Sequence, residues 1–132
     1  MSVFDILNDA LNTSYELGTN DCNIVVLKVV DLRAGTTWAN IAQYDTILNG
    51  YKQLKKLGYE CTGDIVRELS DEVDLPIDGD IWIDNENPLI MGVIFSNRML
   101  GVNTEHNKFQ LIPIRNDGVF YRVRKHNNGW NS

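Results

Sequence analysis

Histidine and cysteine are scarce in this sequence. There are two of each, His106 and His126, Cys22 and Cys61. Two thiols do not make a disulfide scaffold, and they point to a reducing compartment. Apolar runs are short. None approaches the roughly 18 residues that a membrane span requires. Basic residues are outnumbered 12 to 18, for a net charge of −6 and an isoelectric point near 4.7. An acidic chain repels phosphate backbones, so no nucleic-acid partner is expected. The N-terminal MSVFDILNDALN carries no basic stretch, which argues against a signal peptide. No Gly-rich phosphate loop or dinucleotide fingerprint occurs, so no cofactor is expected. The cysteines and histidines show no paired ligand spacing, so no metal is expected either.

What is present fits one domain spanning 1–132, with 43% hydrophobic and 23% charged residues. The first half, to about residue 70, reads as helical. Val3, Phe4, Leu7, Ala10, Leu11 and Tyr15 make an apolar stripe at helical spacing. Ser2 and Asp5 supply an approximate capping box. A second helix follows a cap at Asn20 or Asp21 and ends at Ala34-Gly35. Its run Ile24-Val25-Val26-Leu27-Lys28-Val29-Val30 is apolar on nearly every face. Such a run also suits a buried strand, but the preceding cap and the closing glycine favour a central helix. A third helix is expected from about Thr46 to Lys56, and a short fourth from about Gly63 to Leu69, capped by Thr62.

From about Pro76 to residue 125 the pattern turns to strands, near Ile81–Ile83, Leu89–Phe95, Met99–Asn103, Phe109–Ile114 and Val119–Arg124. Short polar turns between them favour antiparallel neighbours. The expectation is an α+β domain, with N-terminal helices packed on a C-terminal antiparallel meander of about five strands.

The segment richest in chemistry is Gly18-Thr19-Asn20-Asp21-Cys22. A cysteine at a helix N-terminus faces unpaired N–H groups and the positive end of the dipole. Both favour the thiolate, and the same N–H groups suit an oxyanion. The plainer alternative is a small, inert hydrophobe.

Asp21-Cys22 heading a buried helix, then Gly79-Asp80 leading into Ile81-Trp82-Ile83, then Met91-Gly92-Val93-Ile94, resembles the NlpC-type branch of papain-like cysteine peptidases. The pattern is most similar to short relatives encoded among bacteriophage tail genes, and it covers about residues 15 to 124. The resemblance implies a papain-like fold and cell-wall chemistry, with Cys22 attacking a peptidoglycan stem-peptide amide to form a thioester. Asp21 would set the start of the helix, and Gly79-Asp80 the entry to the strand beside the site. The family's histidine stands two residues before the glycine matching Gly92, and that position here is Ile90. Its third polar residue falls on Val102 or Asn103. Without a base and acid, turnover falls by about two to four orders of magnitude.

The expectation is therefore a pseudoenzyme: a virion protein of the phage tail region, made in the host cytoplasm, that contacts other phage structural proteins. The alternative is an active peptidase or amidase on peptidoglycan, with His106, from the turn between the third and fourth strands, as base. A weaker third reading is a module that binds peptidoglycan without cutting it. Among the remaining residues, Trp38, Tyr44 and Tyr51 either line a groove or belong to the core. Trp130, in the tail 126–132, is an anchor for a partner or packs on its own domain. Asp71-Glu72 with Asp74, Asp78 and Asp80 forms an acidic cluster, read as a solvated loop before a cation site. Arg122 and Arg124 share one face of a strand and suit an acidic partner or edge protection.

Overall fold

The computed structural model describes residues 2–41, 52, 54–56, 58–59, 61–105 and 107–125. Helix α1 spans Val3–Leu11, α2 Cys22–Ala34, α3 Trp38–Ile41 and α4 Thr62–Leu69. Six strands follow among the described residues: β1 Ser70–Val73, β2 Ile81–Ile83, β3 Met91–Phe95, β4 Arg98–Val102, β5 Phe109–Pro113 and β6 Val119–Val123. The protein is α+β, with its helices placed before an antiparallel sheet.

The capping box at α1 forms in both directions. Asp5 N–H donates to the Ser2 hydroxyl and Ser2 N–H donates to the Asp5 carboxylate. The helix stops at Leu11, a turn before Tyr15, because Asn12 and Thr13 turn their side chains back onto the carbonyls of Asn8 and Asp9. Such back-bonding competes with helix propagation. The apolar run at 24–30 is indeed helical. Ile24, Val25, Val26, Leu27, Val29 and Val30 are all buried, and Gly35 closes the helix at φ 73°. Of the third predicted helix only residues 52 and 54–56 are described, and they are helical. The cap of α4 is Cys61, one residue earlier than expected, and its side chain makes no capping bond.

The sequence pattern predicts no strand at Ser70–Val73, where the structure has one. It directly follows α4 and reads as charged, Ser-Asp-Glu-Val, since among the described residues it lies at the sheet edge and pairs only with β6. The third strand begins at Met91, not Leu89, because Leu89 and Ile90 belong to the turn that precedes it.

The sheet order is β1-β6-β2-β3-β4-β5. Strands β2 to β5 form the expected meander, but β6 leaves it and returns to lie between β1 and β2. In a flat sheet β5 and β6 would stand about 19 Å apart, a span the segment 114–118 could cover only if fully extended, whereas residues 116–118 are bent. The sheet therefore curls. Strand β3 makes this possible by pairing with β2 over Met91–Val93 and with β4 over Ile94–Phe95. Trp82, Ile94 and Met99 fill the inside of the curl, with Ile112, Ile114 and Phe120 against them. The opposite face presents Ile81, Ile83, Met91, Val93 and Val123 to α1, α2 and α4, where the main core lies.

Candidate functional site around Cys22

Asp21 is fully buried and caps α2. One carboxylate oxygen accepts the Ile24 N–H at 2.9 Å, and the other accepts the Gly18 N–H at 2.7 Å. The aspartate thus fixes both the helix start and the tight turn before it. Gly18 sits at φ 87°, a left-handed conformation that side chains resist. Asn20 staples the same turn to the end of α1: its amide donates to the carbonyls of Ala10, Thr13 and Ser14. The sequence offers Asn20 only as an alternative cap. Its role as a staple depends on carbonyls up to ten residues away.

Cys22 opens α2 and is partly buried. Its Sγ lies 3.7 Å from the Leu89 carbonyl oxygen and 3.9 Å from the Asn23 side-chain amide. Leu89 O accepts from the thiol, and the backbone N–H of Met91 acts on the sulfur in the direction of the thiolate. Position 90 therefore sits between the two backbone groups that meet Cys22. Ile90 occupies it, 45% exposed, next to Leu89 at 47%.

The expectation that the helix dipole would favour the thiolate is not met. Burial, then the charge of Asp21, push the Cys22 thiol up to about 11. The N–H groups of Met91, Asn23 and Cys22 pull the other way and are outweighed. Tyr15 rises to about 12, by burial and by the charges of Cys22 and Asp21. The sulfur is held as a neutral thiol near pH 7, which is the form least fit for nucleophilic attack.

The strand entry is built around Asp80, which is fully buried. Arg122 grips it with two bonds, Nε to Oδ1 at 3.0 Å and Nη2 to Oδ2 at 2.8 Å. Ile77 N–H adds a third at 2.8 Å. Gly79, at φ 89°, passes so close to Arg33 that a Cβ would lie 2.3 Å from its guanidinium. Arg122 and Arg124 therefore find their acids within the chain. Arg124 pairs with Asp71 at 3.0 Å and also donates to the carbonyls of Ser70 and Glu68. The predicted acidic cluster is thereby divided: Asp80 and Asp71 are paired, and Asp78 accepts the Ser96 N–H. Among the described residues no three His, Cys, Asp or Glu side chains gather as a metal site.

Asn103 does not reach toward the sulfur in the manner of an orienting residue. Its side chain closes the β4–β5 turn, accepting from the N–H groups of Asn107 and Lys108 and donating to Asn107 Oδ1. That turn is held against the segment before Cys22. Tyr15 N–H donates to Asn107 O at 3.0 Å, Ser14 bridges to Lys108, and the rings of Tyr15 and Phe109 meet edge to face at 5.2 Å. His106, His126, Tyr44, Tyr51 and Trp130 lie outside the described residues. Trp38 packs edge-on against Tyr59 at 5.2 Å and borders the main core. Away from Cys22, α1, α2 and α3 leave a wide groove of about 600 Å³, lined by Asp5, Asp9, Lys28, Asp31 and their neighbours. Among the described residues no helix is long and apolar enough to cross a membrane.

Residues 2–123 match the model of a family described as a domain of unknown function, DUF6950. No curated protein and no solved structure matches the chain.

Proposed function

The chain belongs to the DUF6950 family, and from that premise we propose that it is a non-catalytic papain-like scaffold of the NlpC type. It serves as a structural or assembly protein of the bacteriophage tail region and contacts other phage proteins. The observation that carries this reading is the pairing of the Cys22 sulfur with the backbone on either side of Ile90. In the NlpC pattern that position brings the histidine to the nucleophile. Here an aliphatic side chain holds it, and the thiol keeps its proton. The seat of a nucleophile is retained, and the group that would take its proton is replaced by isoleucine. The phage setting rests on the resemblance of the Asp21-Cys22, Gly79-Asp80 and Gly92 pattern to tail-encoded relatives.

The test is to offer purified protein peptidoglycan and measure soluble fragments and new amine ends. The expected result is no release above that of the Cys22→Ala variant, together with a fixed copy number in purified particles. Release of fragments that disappears with Cys22→Ala overturns the reading.

One observation favours the alternative of a working peptidase. The turn between β4 and β5, on which His106 lies in sequence, is tied to Tyr15 and Ser14 ahead of Cys22. A base supplied from that turn would rescue proton transfer without a residue at position 90. His106→Ala distinguishes the two, since only an enzyme loses activity.

A further inference from the structure

The acidic loop between β1 and β2 has no part in the Cys22 site, yet much of the fold is spent on holding it. Leu75 is 83% exposed and Ile77 54% exposed, with Pro76 between them. Isolated exposed apolar residues are ordinary on protein surfaces. These two differ in being presented on a braced backbone. Arg122 Nη2 donates to Leu75 O at 3.2 Å, while the same guanidinium grips buried Asp80. Asp80 in turn accepts from Ile77 N–H, and its own N–H donates to Ile77 O. Arg33 donates to Asp78 O at 3.1 Å, and the Asp78 carboxylate accepts from Ser96 N–H. Proline fixes one further dihedral. The exposed acids Glu72, Asp74 and Asp78 flank the two apolar residues in sequence, while Arg122 and Arg33 hold the loop through its backbone carbonyls.

We propose that residues 74–78 form a docking knob, in which Leu75 and Ile77 bury themselves in an apolar patch of a protein partner edged with lysine and arginine. A loop already fixed in its bound shape loses little entropy on docking. The acidic rim selects the sign of the partner's edge and speeds encounter. It also disfavours the other occupants. A second copy of this chain carries the same excess of six negative charges, and anionic membrane surfaces repel acids. The knob would serve the assembly role proposed above, but its binding is read without any particle or wall substrate. Its failure therefore leaves the scaffold reading standing, and loss of the scaffold reading leaves the knob intact.

The experiment uses the full chain and two labelled synthetic peptides of equal length and charge, one amphipathic with lysine and leucine, the other with lysine and serine. Binding is followed by fluorescence anisotropy at low and physiological salt. The lysine–leucine peptide is expected to bind about tenfold tighter or better. The double variant Leu75→Ser, Ile77→Ser should lose that margin with an unchanged melting curve, since both side chains are exposed. Glu72→Lys with Asp74→Lys should weaken both peptides. Equal binding of the two peptides overturns the proposal, as does a preference that survives the double serine variant. Self-association, or binding to neutral phosphatidylcholine vesicles, that the double variant abolishes would overturn the choice of a basic protein partner.

Discussion

The Cys22 sulfur and the Leu89 carbonyl oxygen lie 3.7 Å apart, so the first residue of the central helix is tied to the turn that feeds β3. That tie places the backbone of residues 89–91 over the thiol. Burial and the charge of Asp21 outweigh the N–H groups around the sulfur, so the helix N-terminus does not produce a thiolate here.

The first prediction concerns pH. The folded thiol holds its proton to about pH 11, against an ordinary value of 9.0. Between those values the unfolded chain releases a proton that the native state keeps. The stability contributed is complete below about pH 9 and is lost as pH rises through 11. Urea unfolding at pH 8 and pH 10.5 should show a larger loss for the wild type than for Cys22→Ala. Tyr15, raised to about 12 chiefly by burial, adds slope of the same sign to both proteins, and less of it once Cys22 is gone. At pH 8 iodoacetamide should modify Cys22 about a hundredfold more slowly than a free thiol.

Ile90→His should reverse that behaviour. The side chain is 45% exposed, so an imidazole fits without opening the core. A histidine paired with cysteine lowers the thiol and withdraws its proton. Alkylation at pH 7 should accelerate at least tenfold, roughly the effect of one unit of pKa. An unchanged rate would show that position 90 does not address the sulfur.

Removing Arg122 should destabilise the fold through Asp80. The carboxylate is fully buried and the arginine side chain is 37% exposed. Arg122→Ala leaves the buried carboxylate with the Ile77 N–H and the charge of Arg33, at a cost of about 2–3 kcal/mol, below the range for a fully buried pair because solvent reaches the guanidinium. The double variant Asp80→Asn, Arg122→Ala should recover part of that loss in urea midpoints. A loss that is additive across the two sites would contradict a direct coupling.

Gly118→Ala should cost on the order of 2–4 kcal/mol. The glycine sits at φ 93°, and a Cβ would fall 2.2 Å from Trp82 Nε1. That indole donates to Asp117 O at 2.6 Å, so the substitution strains the turn and displaces the tryptophan inside the curl. Thermal unfolding with tryptophan fluorescence reports both effects.

Local chemistry was readable where the deciding atoms are close in sequence. The Ser2–Asp5 box, a cap at Asn20 or Asp21, the Gly35 stop and the strand at Ile81–Ile83 follow from side chains within a turn or two of each other. Strand β1 escaped because an edge strand needs no apolar alternation, and Ser-Asp-Glu-Val has none. The place of β6 between β1 and β2 escaped for a different reason: the curl that returns the chain depends on β3 changing partners halfway along its length.

The same division runs through the site. Residue order alone determined that a cysteine would open a buried helix and that Asn20 or Asp21 would cap it. Tertiary packing decided the state of the sulfur, because the charge on a thiol depends on water, on Asp21 and on the backbone of residues 89–91. It also decided the pairing of Arg122, which finds Asp80 across the strand entry. Hydrogen-bond geometry over a few residues is written into the chain, whereas solvation and pairing across the fold exist only once the sheet has closed.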